Sequence, residues 1–472
     1  MSPAASSSEI SSLPYFLDPS RPIRSLSIGF WLWKALLFVA IISCPGLGYD
    51  TSSSLLPFGG ISSVDLISTG ETKHVSLSIP LKFVRWDSIY FLHIARSGYV
   101  FEQEWAFSYT YGNLVNSLSH LLFRSDDSSE AAKLAVTAVV LSHVAHYLSV
   151  LVLHRLSINV LGHDTERRRL ICFLAAALHI ISPAGAFLSA PYGESLFSFL
   201  NISGFYVYSS SRLDSGTRKQ SLTYAKILLS GVLFAVATAI RSNGILSGVV
   251  LAYDALEQCY NIISPNPSRA AGVRLCFIVF SGCIVALGFF IPQYLAYAAY
   301  CTNQVISRPW CQSLVPSIYG WVQDYYWGVG FLRYWTVSNL PLFLIASPML
   351  LILFLSCFWA FSADVPSLST KTSSKASRVI SPSSAAPLLI QLAIAQFLLT
   401  TMAVTTYHVQ IVNRISSGYP LWYWYLACQA VGIPDDTRSK IKYSARFLVI
   451  VQCMMIYALV QATLFGSFLP PA

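Results

Sequence analysis

Charge is what this chain has least of. Among its 472 residues only 11% are charged, against 54% hydrophobic, whereas soluble domains carry roughly 25% charged residues. A chain this long and this apolar is excluded as a soluble protein with a large core and reads as a polytopic membrane protein. Several chemical signatures are also missing. The 10 cysteines form no Cys-x-x-Cys pair, so metal-type spacing is absent. Cys44, Cys172, Cys276, Cys283, Cys357, Cys428 and Cys453 lie in apolar runs and read as small core residues. No Asp-x-Asp pair occurs, and no metal site is expected. No internal repeat is visible. The polar Ser/Pro-rich stretch 1–25 has no short cleavable apolar region, so the run from Leu26 to Cys44 reads as a retained anchor. The net charge of +9 is spread along the chain rather than gathered in a stripe, which argues against nucleic acid as a partner.

What is there is a series of apolar runs. A span needs about 20 apolar residues, and about eleven candidates meet or approach that length. They lie near 26–46, 131–155, 169–189, 193–209, 223–241, 243–258, 274–296, 339–361, 386–405, 419–432 and 445–466. Those near 193–209, 243–258 and 419–432 are short for a crossing. With the N-terminus in the cytosol, strict alternation puts Arg21 and Arg24, Arg155 with Arg167 to Arg169, and Arg212, Arg218, Lys219 and Lys226 on the cytosolic side. Arg269 and Arg274, Lys371, Lys375 and Arg378, and Arg438, Lys440, Lys442 and Arg446 follow there. This is the positive-inside pattern. The organisation expected is therefore a tail at 1–25, a first span at 26–46 and a first far-side loop at 47–130. A membrane core at 131–296 and an aromatic far-side loop at 297–338 come next. C-terminal spans over 339–472 are interrupted by a Ser/Lys-rich flexible linker at 362–384. Asn201-Ile202-Ser203 has the glycosylation pattern but falls inside a span.

One stretch breaks the apolar monotony just beyond the first span: Arg85-Trp86-Asp87-Ser88-Ile89-Tyr90-Phe91-Leu92-His93, running on to Gly98 and Glu102. It reads as a helix from Ser88 to about Ser97, with Trp86, Ile89, Tyr90, His93 and Ile94 on one apolar-aromatic face. Asp87 suits the N-cap and Gly98 the C-cap. One reading makes Asp87 only a cap on an interfacial helix. The other makes it a general base, a carboxylate beside an indole and an arginine that takes a proton from a sugar hydroxyl. The two roles are compatible. Glu102 and Glu104 follow, Glu104 reading as a solvated loop acid. Other ionisable groups gather at far-side span ends: Glu194, Arg241 with Asn243, and His408, Gln410 and Arg414. Such groups are costly near a membrane, and arginines there suit an anionic headgroup such as phosphate. The loop from Cys301 to Ser338 is rich in Trp and Tyr and carries Arg333. It reads as an aromatic belt or as a wall for sugar or lipid. Cys301 and Cys311 share it, and an oxidising compartment would permit a disulfide between them.

These stretches together resemble the PIG-V family of glycosylphosphatidylinositol (GPI) mannosyltransferases, over about residues 83–425. The matching pieces are Arg85-Trp86-Asp87 with Tyr90-Phe91 and Gly98-Tyr99, Glu102, Ala106-Phe107, Ser182-Pro183-Ala184 and Glu194-Ser195-Leu196-Phe197. Arg241-Ser242-Asn243-Gly244, Tyr326-Trp327 through Gly330-Phe331-Leu332-Arg333-Tyr334-Trp335, and His408-Val409-Gln410 with Arg414 complete them. The resemblance implies a GT-C glycosyltransferase fold in the endoplasmic reticulum membrane. That is an all-α polytopic protein with lumenal loops bearing short interfacial helices and a lumenal active site. It implies transfer of the second mannose, through an α-1,6 bond, from dolichol phosphate mannose to a GPI intermediate with inversion. Asp87 takes the family's acidic position and Glu102 a second one. No cofactor is implied beyond the donor substrate. The partners implied are donor, GPI-anchor glycolipid acceptor and membrane lipids, with a small membrane accessory subunit left open. Ser108-Tyr109-Thr110-Tyr111 departs from the family pattern, where a Pro-containing run is expected. The alternatives are another GT-C enzyme using a dolichol-phosphate sugar and, from a different class, a lipid transporter or non-catalytic subunit; a transporter predicts symmetric halves.

Overall fold

The computed structural model describes residues 18–45, 49, 79–123, 129–214, 220–264, 269–302, 308–362, 382–431 and 444–469. Most of the expected tail, the start of the first far-side loop and nearly all of the 362–384 linker lie outside them. The described residues form helices and turns, with no strand among them. Seven helices are long and apolar enough to cross a membrane. They are α1 (Pro22–Ile42), α4 (Glu130–Leu161), α7 (Gln220–Ile240), α9 (Arg269–Cys301), α11 (Leu340–Phe361, counted from Val337), α12 (Pro382–Thr405) and α15 (Ala445–Gly466). Four further helices occupy the remaining expected windows: α5 (Glu166–Ile180), α6 (Glu194–Asp214), α8 (Val249–Ile263) and α14 (Leu421–Val431). Short helices between spans are α2 (Asp87–Ser97), α3 (Tyr109–Leu122), α10 (Ile318–Tyr325) and α13 (Val412–Ile415).

The expectation of about eleven crossings therefore divides into seven qualifying helices and four others. At about 1.5 Å per residue, α5, α8 and α14 fall well short of a hydrocarbon core of about 30 Å. The apolar window at 169–189 stops being helical at Ile180 and turns through Gly185–Leu188. Each short helix instead meets an irregular stretch at the same end of the bundle: 181–193 after α5, Ser242–Gly248 before α8, and 408–420 before α14. These stretches lie inside the bundle, where protein partners satisfy their backbone; irregular backbone at membrane depth is tolerated only under such cover. Together they leave a recess at one end.

Conventional caps begin several helices. Ser108, Ser129, Thr165 and Ser317 each accept a backbone N–H of their helix. The helices pack by close approach, as expected where lipid removes the hydrophobic drive between them. A Cβ on Gly231 would stand 2.8 Å from that of Ser281, and one on Gly288 would collide with the carbonyl of Ala235, so α7 and α9 cross with backbones in contact. Asn201 is fully buried in α6 and donates to the Gly418 carbonyl at 3.0 Å, which makes it a packing residue of the recess floor. At the opposite end Arg274 of α9 donates to buried Asp254 of α8 at 2.6 Å, and Tyr208 of α6 donates at 3.0 Å.

Candidate active site

Asp87 sits on the recess because the turn before α2 is unusual. Trp86 adopts φ 55°, a left-handed conformation costly for a bulky residue, at about 1–3 kcal/mol. Its indole packs edge-on against Phe468, with ring centroids 5.1 Å apart. Phe468 also lies under the Arg85 guanidinium, 4.8 Å away, and Arg85 Nη2 donates to the Gly466 carbonyl at 3.4 Å. Ser88 closes the turn, its Oγ 2.5 Å from both the N and the O of Arg85. The N-cap position belongs to Trp86, and Asp87 is the first helical residue with no capping bond from its side chain. This corrects the expected cap and leaves the carboxylate free to point outward. Gly98 closes α2 at φ 69°, as its type suggests. The buried face of α2 is Ser88, Phe91, Leu92, Ile94 and Ala95. Of the expected apolar-aromatic face, Ile94 is buried, while Tyr90 and His93 stack against Phe107 and Phe101.

The recess holds a cavity of about 520 Å³, within the usual range for a small-molecule site. Its lining includes Trp86, Asp87, Arg241, Asn243, His408, Gln410 and Arg414, together with Trp105, Tyr319, Trp327 and Tyr407. Residues 87 and 414 meet directly: Arg414 Nη1 and Nη2 both donate to Asp87 Oδ2 at 3.1 Å. Among the described residues no donor reaches Oδ1, and the side chain is 37% exposed. On its other side the Arg414 Nε lies 3.6 Å from Glu194 Oε1, which accepts from Arg241 Nη1 at 2.7 Å. Acid and base alternate across four residues from four separate parts of the chain. Burial alone would lower the Arg414 guanidinium, but Asp87 and Glu194 outweigh it and hold it raised, so it stays cationic. His408 is pushed below its ordinary value by burial, against the pull of Asp87 and with Arg414 adding to the push. The imidazole is therefore a neutral polar group at pH 7.

Other expected site residues lie elsewhere. Arg85 is buried behind Asp87 against the 466–468 turn. Arg333 pairs with Asp324 on the surface. Glu102 does not line the cavity: it accepts from the Trp310 and Trp321 indoles at 2.9 and 3.3 Å and from the Tyr326 hydroxyl at 3.0 Å. It thereby ties the aromatic loop to the first loop. Cys301 and Cys311 are paired in a disulfide, with Cα atoms 5.6 Å apart, and Trp310, Ile318 and Val322 of the loop form a small core with Ala296 of α9. Glu104 is no solvated acid. It is 1% exposed, takes the Val100 and Phe101 N–H groups at 2.7 and 2.8 Å, and bonds His93 Nδ1 at 2.5 Å. Ser108, where the family pattern breaks, caps α3, and residues 108–110 line the cavity.

The residues missed by the sequence reading are those beneath Arg414. Its guanidinium lies 4.5 Å from the Phe187 ring and 5.6 Å from Tyr192, a cation–π floor. The turn bearing Phe187 is held by Lys34, whose Nζ donates to the Leu188 carbonyl and Ser189 Oγ, both at 2.8 Å. A lysine inside the first span was the available signal for that anchor.

A profile of the family described as Mannosyltransferase (PIG-V) matches residues 32–472. "GPI mannosyltransferase 2" of Aspergillus oryzae is 53% identical over 459 residues, covering 97% of this chain and 98% of that one. Its namesake in Schizosaccharomyces pombe is 30% identical over 395 residues, 83% of this chain and 74% of that. Among solved structures, the Archaeoglobus fulgidus oligosaccharyltransferase AglB, in complex with an inhibitory peptide and a dolichol-phosphate, superposes with a TM-score of 0.43 at 10% identity. The match covers 94% of this chain but 55% of that protein's length.

Proposed function

The chain belongs to the Mannosyltransferase (PIG-V) family, and from that premise we propose that it adds the second mannose of the GPI anchor in an α-1,6 bond. The donor is dolichol phosphate mannose, the place is the lumenal face of the endoplasmic reticulum membrane, and Asp87 is the general base. The observation that carries the reading is Asp87 itself: a carboxylate on the wall of the recess, one oxygen fixed by Arg414 and the other open to a ligand.

The step is a single displacement. Asp87 Oδ1 takes the proton of the acceptor 6-hydroxyl as that oxygen bonds to C1 of the donor mannose. The C1–O bond to phosphate breaks, and its electron pair leaves with the phosphate. Asp87 loses one negative charge as the phosphate gains one. Arg414, already at Asp87, is the cation on hand for the charge so moved. Arg241 lines the same cavity and offers a second guanidinium to the phosphate oxygens. Asn243, Gln410 and neutral His408 supply polar contacts for sugar hydroxyls. Phe289, Pro292 and Leu342 give the wall an apolar sector suited to a lipid chain.

Purified protein supplied with dolichol phosphate mannose and a defined one-mannose GPI acceptor tests the reading. Asp87→Asn should lose transfer by about 10³-fold or more at normal folding. Near wild-type transfer by that variant removes Asp87 as base. Preference for a different glycan acceptor would instead favour another dolichol-phosphate-sugar enzyme.

A further inference from the structure

Glu194 is a costly residue in an odd position. It is fully buried at the first residue of α6, and among the described residues its Oε2 has no hydrogen-bond partner. A buried carboxylate with an unmet oxygen requires an explanation. Its other oxygen is the point where Arg241, at 2.7 Å, and Arg414, at 3.6 Å, converge. Glu194 does not line the cavity, so it does not itself hold substrate.

We propose that Glu194 is a positioning residue that shares Arg414 with Asp87 and thereby keeps Asp87 basic enough to accept the acceptor's proton. The inference rests on Asp87 being the base. Two carboxylates divide one guanidinium, and neither has it alone. Were Asp87 to hold Arg414 undivided, its carboxylate would be stabilised as the anion and would be a weaker base. When Asp87 is protonated in the reaction, Glu194 and the Phe187 ring hold Arg414 in place, so the cation stays beside the leaving phosphate. Around Asp87 the other titratable neighbours are Tyr90, Tyr192 and His408; around Glu194 they are Tyr111, Tyr192 and Arg241.

Glu194→Gln is nearly isosteric: it removes the charge and leaves an oxygen for Arg241, with the amide nitrogen at the unpartnered Oε2 position. The expected result is a fall in kcat of up to about tenfold with donor KM within about threefold, and an acidic limb of the pH–rate profile moved down by about one pH unit. Glu194→Asp, which keeps the charge, should restore the limb towards wild type. A residue that merely braced Arg414 would give the opposite sign: Arg414 would drift from Asp87, and the limb would move up. A folded Glu194→Gln protein whose limb stays put or moves up overturns the inference. Should that variant fail to fold, Glu194→Gln with Arg241→Gln removes both charges of the buried pair. Arg414 again belongs to Asp87 alone; measured against Arg241→Gln, which accounts for the lost cation, a limb that does not move down overturns the inference in the same way. The two claims fail separately. Transfer by Asp87→Asn removes the base itself, whereas an inactive Asp87→Asn beside an unshifted Glu194→Gln removes only the sharing.

Discussion

Asp87 and Arg414 stand 327 residues apart in sequence, and that separation decides how much of the site could be read before folding. An ionisable residue beside an apolar span is conspicuous by type, so Asp87, Glu194, Arg241 and Arg414 are all legible as candidates. Which acid meets which base depends on how α2, α6, α7 and the 408–420 stretch converge, and no local pattern encodes that. Glu102 shows the cost. Its acid character and neighbours suit substrate binding, yet two indoles and a phenol from the aromatic loop consume its oxygens. Its role is therefore testable as a clamp. Glu102→Ala strands three donors and should lower stability by about 2–4 kcal/mol, read as an earlier thermal unfolding transition in detergent. Loss of transfer with unaltered unfolding would instead return Glu102 to the substrate.

Among elements, apolar windows located every long helix, because a span must satisfy its backbone internally and show lipid an apolar side. Windows do not reveal where a helix stops inside protein. α5, α8 and α14 end early because their irregular continuations find partners in the bundle: the Ser242–Gly248 turn abuts Tyr419, whose hydroxyl donates to the Asn243 carbonyl at 2.9 Å. Helix contact is similarly invisible until two glycines of one helix are compared. In α9, Gly288 meets the Ala235 backbone, whereas a Cβ on Gly282 meets nothing within 4 Å. Gly288→Ala should then cost about 1–3 kcal/mol and constrict the cavity wall, while Gly282→Ala, in the same helix, should be neutral or slightly stabilising. Thermal unfolding of the pair compares them directly; equal effects would show that α7 and α9 do not touch there.

For the molecule as a whole, the charge pattern predicts which end of the bundle faces the cytosol, and the cavity lies at the end opposite the described pair Arg274–Asp254. That orientation can be mapped with glycosylation acceptors. Ser313→Asn with Val315→Thr creates one in the exposed aromatic loop, where Leu314 is fully exposed. Ile263→Thr creates another after Asn261, at the far end of α8. In endoplasmic reticulum membranes the first should gain an endoglycosidase-sensitive mass and the second none; the reverse pattern would invert the protein.

The 466–468 turn adds a matter of timing. Arg85 reaches Gly466 across 381 residues, Phe468 supports both Arg85 and Trp86, and the Tyr49 N–H donates to the Ser467 carbonyl at 2.9 Å. The motif is made first on the ribosome, and its brace follows 381 residues later. A nascent chain arrested before α15 therefore carries its candidate base unsupported, with Trp86 lacking the ring that offsets its strained backbone. Activity should appear only once α15 has entered the membrane, so that the order of synthesis sets when the candidate base becomes usable.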